Sequence, residues 1–196
     1  MLRTASLTRR TSETNISLTL ALDGSGLADV GTGIGFFDHM LTAFARHGLF
    51  DLTVRAEGDL HVDSHHTMED VGIVLGQAFA QAIGDKRGIR RFGQALTPMD
   101  EALAEAAVDI SGRGYLAWHV PFERNKIGAV DTELFEEFFR ALATNALITL
   151  HVGRRAGRNA HHVAEACFKS VGRALRMASE RDPRVGDTVP STKGAL

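Results

Sequence analysis

From Asn15 to Leu22 the apolar residues Ile16, Leu18, Leu20 and Leu22 alternate with Ser17, Thr19 and Ala21, ending at Asp23-Gly24. A period of two predicts a strand with one buried face and a turn behind it. Over Phe36 to His47 the spacing lengthens, placing Phe37, Met40, Leu41 and Phe44 on one side of a helix stopped by Gly48. Leu49 to Glu57 returns to a strand pattern. Thr67 to Ile83 predicts a helix with Val71, Val74, Leu75, Ala78 and Ala82 inward, closed by Gly84. Thr67-x-x-Asp70 gives it a start, since a hydroxyl and a carboxylate there can meet the free N–H groups of the first turn.

The second half repeats the order. Ala102 to Ile110 and Tyr115 to Val120 predict strands joined through Ser111-Gly112-Arg113-Gly114. Asp131 to Asn145 predicts a helix with Leu134, Phe135, Phe138, Phe139 and Leu142 apolar. Leu147 to Val152 is a strand pattern, and Ala160 to Ala178 a helix with Val163, Phe168, Val171 and Leu175 inward. The period is strand, strand, helix, strand, helix, twice. His39 and His65 lie 26 residues apart, and Glu137 and His161 lie 24 apart. Each interval runs from mid-helix through a strand to a His-His pair at the next helix. The expected architecture is α+β: two packed halves, about 1–93 and 94–180, with helices on one face of mostly antiparallel sheets. An extended C-terminal arm follows over 181–196, where Pro183, Pro190 and Gly194 fall.

Composition narrows the chemistry. With 196 residues and 44% hydrophobic, the chain can bury a core. A net charge of −2 at pH 7 gives no broad attraction to nucleic acid or anionic membrane. Arginines do cluster at Arg154-Arg155-x-x-Arg158 and around Lys86 to Arg91, which suits a small anionic ligand better than a polymer. Cys167, the single cysteine, falls on a helical apolar face where packing is its expected role. Neither a signal-peptide core nor a membrane-length apolar run is present in the sequence, so a soluble cytoplasmic protein is expected.

The candidate chemistry lies in a duplicated cassette, His65-His66-x-x-Glu69 and His161-His162-x-x-Glu165. Adjacent histidines on a helix point about 100° apart and do not easily chelate one ion together. The glutamate lies one turn below them, so one histidine can share an ion with it while the other faces a second centre. Two cassettes facing each other would then make two metal sites, each drawing ligands from both halves. Imidazole and carboxylate without thiolate favour Mn, Fe or Zn in a catalytic site. A lone His-His pair is ordinarily filler, but its recurrence at matching places of a repeat is hard to explain by packing. His39, in Phe37-Asp38-His39-Met40-Leu41, is a further candidate, with Asp38 placed to orient its ring.

Together with those segments, Arg91-Phe92-Gly93, Pro98-Met99-Asp100-Glu101-Ala102, Asp109-x-Ser111-Gly112-Arg113, Asn159-x-His161-His162 and Pro190-Ser191-Thr192-Lys193-Gly194 closely resemble imidazoleglycerol-phosphate dehydratase. The resemblance runs in order from Glu13 to Gly194. It implies a duplicated fold like domain 2 of ribosomal protein S5. It also implies a hydro-lyase of histidine biosynthesis with two Mn²⁺ ions per active site. One ion would be bound by His65, Glu137, His161 and Glu165, the other by His39, His66, Glu69 and His162. The position of Glu137 is histidine in some members, and a carboxylate is also a competent ligand. Substrate contacts carry over to Glu13, His39, His65, Arg91, Arg113, His161, Ser191 and Lys193. Of these, Arg91, Arg113, Ser191 and Lys193 would hold the phosphate.

The implied reaction converts D-erythro-imidazole-glycerol phosphate to imidazole-acetol phosphate. No carbonyl adjoins the carbon that loses hydrogen, so the metal-polarised imidazole ring would take the charge, as an imidazolate. Glu13 and Glu165 are the proton-moving candidates. The family assembles as a homo-oligomer of twenty-four subunits with active sites between neighbours. Two rivals stand beside this reading. A metal-dependent phosphoester hydrolase would use a free metal-bound water, and a metal-storage protein would need no phosphate site. Arg91, Arg113 and Lys193 speak against the latter.

Overall fold

A computed structural model describes residues 3–194 and 196. In chain order the elements are β1 (Thr4–Arg10), β2 (Thr14–Ala21), β3 (Ala28–Gly31), α1 (Gly35–Gly48), β4 (Asp51–Gly58), α2 (His65–Ile83) and β5 (Phe92–Met99). There follow β6 (Ala102–Asp109), β7 (Tyr115–His119), β8 (Lys126–Ile127), β9 (Val130–Asp131), α3 (Leu134–Ala146), β10 (Thr149–Ala156) and α4 (Ala160–Ser179). Two four-stranded sheets have the same plan, β1-β2-β4-β3 and β5-β6-β10-β7. In each, the last strand joins in parallel and the other pairings are antiparallel. The α+β duplication is therefore present, with β1 and β3 in the first half and β5, β8 and β9 in the second standing beyond the strands the pattern predicts.

The unexpected strands of the first half have a common cause. Edge strand β1 buries Ala5 but turns Thr4, Ser6, Thr8 and Arg10 outward or half outward, and β3 is four residues long. Short or polar edges carry little apolar alternation because only one neighbour and one face are covered. Asp131 falls in β9 and pairs with Lys126 at 3.0 Å, so the helix expected from it begins at Leu134. Among the described residues, no helix is long and apolar enough to cross a membrane.

The halves meet helix to helix: α2 packs on α3, and α1 on α4, while α2 also covers β1 and β2, and α4 covers β5 and β6. Phe37 of α1 approaches Phe138 of α3 with centroids 5.1 Å apart, and Phe138 stacks on Phe168 of α4 at 5.3 Å. One apolar cluster runs through both halves. Helix α1 extends through Gly48, and Leu49 behind it adopts the left-handed conformation, as Leu147 does behind α3. Gly48 serves packing instead, since a Cβ there would lie 2.6 Å from the Phe50 ring.

The arm is folded back rather than extended. Ile89 bridges to Arg181, the Gly88 N–H donates to the Thr188 carbonyl at 2.9 Å, and Arg87 reaches the Asp187 carbonyl at 2.9 Å. Cys167 is buried in α4, as its place in the pattern predicts.

Candidate metal centre

Both cassettes open a helix, and the polar groups before them set the first turn. The Asp63 carboxylate accepts the His65 N–H at 2.7 Å. The Asn159 side chain accepts the N–H groups of His161 and His162 at 3.0 and 3.5 Å. The expected start of α2 at Thr67-x-x-Asp70 is displaced, because Asp70 is buried and accepts from Thr14 and Arg9, tying α2 to the first hairpin. Phase is shared: the His65 and His66 rings stand at 82° with centroids 6.1 Å apart, and the His161 and His162 rings at 82° and 6.0 Å. In both, the first histidine meets the glutamate one turn on. His65 Nε2 lies 3.6 Å from Glu69 Oε2, and His161 Nε2 lies 3.2 Å from Glu165 Oε2.

Packing of α1 on α4 adds His39, whose Nε2 lies 3.3 Å from the same Glu165 oxygen. The donor atoms of His39, His161 and Glu165 fall within 4.8 Å of one another, a spacing one ion can span. The donor chemistry, two imidazoles and a carboxylate, fits Mn, Fe or Zn. Glu165 is directed by Lys169, whose Nζ holds Oε1 at 2.6 Å and leaves Oε2 to the histidines. Burial pushes the Glu165 carboxyl up, but the Lys169 bond and charge, helped by His39, bring it below the ordinary value. The cleft beside this centre holds about 590 Å³ between Ile34, Phe36, Leu60, Ser64, Val130 and His161, so the N-termini of α1, α2 and α4 share one end of the molecule.

Within a single chain the donors group differently from the division the resemblance implies. His39 sits with His161 and Glu165 because α1 lies along α4, and Glu69 sits with His65 because they share a helix face. Asp38 does not orient His39; its Oδ1 accepts the Thr32 N–H and hydroxyl at 2.9 and 2.6 Å. Glu137 lies on α3 with its carboxylate 3.5 Å from Arg140. Glu13 lies 3.9 Å from His66 Nε2. His66 and His162 each engage a carboxylate through Nδ1, Asp59 at 3.0 Å and Glu101 at 2.7 Å. These bonds raise both imidazoles above the usual value, and the His162 bond holds Glu101 down at about 2.

The phosphate candidates gather elsewhere. Arg91 forks onto Asp109 at 2.7 and 3.2 Å and donates to the Pro190 carbonyl at 2.9 Å. Arg113 donates to the Ser111 carbonyl at 3.2 Å, and Ser191 Oγ accepts the Lys193 N–H at 3.2 Å. Thus Arg91 and the start of the 190–193 turn are joined directly. By contrast, the Arg154-Arg155-x-x-Arg158 cluster is not a free anion site: Arg154 and Arg158 face Glu123, and Arg155 pairs with Glu105.

The imidazoleglycerol-phosphate dehydratase family profile matches residues 32–175. The chain belongs to the imidazoleglycerol-phosphate dehydratase family. It is 70% identical over 196 residues, the whole of both chains, to the dehydratase of Granulibacter bethesdensis. It is 68% identical over 194 residues to that of Gluconacetobacter diazotrophicus, covering 99% of this chain and 98% of the relative. A crystal structure of the family member from Staphylococcus aureus matches with TM-score 0.83 at 40% identity, over 91% of this chain and 99% of that one. That from Pyrococcus furiosus, in complex with (S)-C348, matches with TM-score 0.84 at 37% identity, over 97% and 100%. The chain is accordingly an enzyme, a hydro-lyase of histidine biosynthesis.

Lys169, Asp59 and the role of Glu101 escape sequence reasoning. Lys169 alone leaves a local signal, four residues after Glu165 on one helix face. Asp59 and Glu101 reach their histidines only through the fold.

Proposed function

We propose that this chain dehydrates D-erythro-imidazole-glycerol phosphate to imidazole-acetol phosphate with two Mn²⁺ ions per active site. The ligand set would be His39, His65, His66, Glu69, Glu137, His161, His162 and Glu165. The observation that carries this is the convergence of His39, His161 and Glu165 within 4.8 Å, with His161 lining a cleft that Ser64, directly before the other cassette, also lines. Bound there, the ions would supply Lewis acidity to the substrate's imidazole ring, so that the adjoining chain can lose hydrogen and hydroxyl without a neighbouring carbonyl. Lys169 keeps Glu165 Oε2 aimed at the histidines. Glu13, half exposed and beside His66 Nε2, moves a proton on the substrate side. Arg91, Arg113, Ser191 and Lys193 hold the phosphate, the arginines through paired N–H groups.

The two ends of this site do not meet within one chain. The Arg91 N–H donates to the Ala178 carbonyl, near the C-terminal end of α4, whereas His161 opens that helix. At 1.5 Å per residue these points are about 25 Å apart. One imidazole on a three-carbon chain with a single phosphate is too short to join them. The metal end of one chain therefore works with the phosphate end of another, in a homo-oligomer that we take to be the twenty-four-subunit assembly of the resembled family. Leu96 and Tyr115, exposed on the second sheet, offer apolar surface for such contacts. We place the enzyme in the cytoplasm, with the amino-acid biosynthesis it serves.

Purified, Mn²⁺-loaded protein should convert imidazole-glycerol phosphate to its ketone product. No product while metal is bound would overturn the assignment. His66→Ala and His162→Ala should each abolish turnover, and normal turnover by both would refute the two-metal scheme. An oligomer reassembled from Arg91→Ala and His161→Ala chains should regain activity that neither parent has. If it stays inactive, the site does not lie between subunits.

A further inference from the structure

The second histidine of each cassette has its Nδ1 on a carboxylate and its Nε2 elsewhere. His66 Nδ1 lies 3.0 and 3.2 Å from the two Asp59 oxygens, and His162 Nδ1 lies 2.7 Å from Glu101 Oε2. A neutral imidazole has one donor and one acceptor nitrogen, and an ionised carboxylate only accepts. Each contact therefore selects the tautomer with hydrogen on Nδ1 and leaves the Nε2 lone pair free.

These two carboxylates are not equivalents in the repeat. Asp59 directly follows β4, and the residue directly following β10 is Gly157, which has no side chain to offer. Glu101 directly precedes β6, and the residue directly preceding β2 is Glu13. Glu13 and Glu101 thus occupy matching places, yet Glu101 is on the Nδ1 side of its histidine and Glu13 is 3.9 Å from Nε2. The halves reach the same histidine geometry from different directions.

We propose that Asp59 and Glu101 are positioning residues for the metal site, each fixing the second histidine of its cassette with Nε2 presented to a divalent ion. Because Asp59 takes this role in the first half, Glu13 is released to the substrate side, where its repeat counterpart cannot serve. The inference rests on the metal reading above. Asp59 and Glu101 lie in loops, so their removal leaves the core intact.

The test is a Mn²⁺ titration of the full assembly, following free ion by its paramagnetic resonance signal. Asp59→Ala and Glu101→Ala should weaken binding about 10–100-fold, the usual loss on deleting a partner behind a metal-bound histidine. Asp59→Asn should regain part of that loss, since an amide oxygen still accepts from Nδ1; Glu101→Gln should regain less, because Glu101 Oε1 also accepts the Asn159 N–H at 3.0 Å and an amide has one oxygen for the two donors. Glu13→Gln should leave the affinity within about twofold of wild type while slowing turnover. Alanine variants that bind like wild type would overturn the proposal. So would an Asp59→Asn variant as weak as Asp59→Ala, since that pattern means charge attraction rather than ring positioning. A wild-type protein that binds no Mn²⁺ would instead refute the metal reading itself.

Discussion

Glu165 shows how much one side chain can be asked to do. It is buried, yet it stays ionised because Lys169 balances the cost of burial, and its free oxygen faces His39 and His161. Lys169→Met should remove the largest stabiliser of that charge, raise the carboxyl's pKa and weaken Mn²⁺ binding most at low pH. A Mn²⁺ titration repeated across pH checks this, and an unchanged profile would refute it. His66 and His162 give a second pH signature. Their imidazoles are held above the ordinary 6.5 by Asp59 and Glu101, so the protonated forms persist to higher pH. A metal ligand must shed that proton, so affinity should fall with falling pH and begin to fall already above 6.5. An onset well below that value in the titration would contradict it. Cys167 sits at the other extreme, with its thiol pushed up to about 12 by burial. Iodoacetamide should leave it unmodified in the native protein and label it only on unfolding, read by mass spectrometry.

At the scale of elements, the close helix contacts are set by glycines. Gly72 and Gly76 of α2 lie against α3, where an added Cβ would stand 2.6 Å from the carbonyl oxygens of Phe138 and Leu142. Gly76→Ala improves helix propensity by about 1 kcal/mol. Overpacking against backbone costs about 1–3 kcal/mol and wins here, because a carbonyl fixed in a helix cannot move aside. Urea denaturation should show a lower midpoint, and a more stable variant would contradict the contact. The helices, the central strands and both cassettes were legible in the sequence because each rests on a local period. Of the edge strands, β7 was legible but β1, β3 and β5 were not, since a strand covered on one side needs few apolar residues. Leu49 and Leu147, in left-handed caps where glycine is the usual signal, were equally silent.

Across the whole molecule, Phe37, Phe138 and Phe168 pack helices of both halves into one cluster. Phe168→Ala should cost about 3–5 kcal/mol and lower the melting temperature of both halves together. Calorimetry resolving two separate transitions would contradict a shared core. The sequence by itself determined the duplication, the metal-type donors and, through its ordered motifs, the resemblance to the dehydratase family. Those features are carried by residue identity and by spacings within single helices and strands. Only the tertiary structure decided that His39 joins His161 and Glu165, that Asp59 and Glu101 stand behind the second histidines, and that Arg91 lies at the far end of α4. Each depends on how helices and loops distant in sequence are brought together by burial of a common core, which no local period encodes.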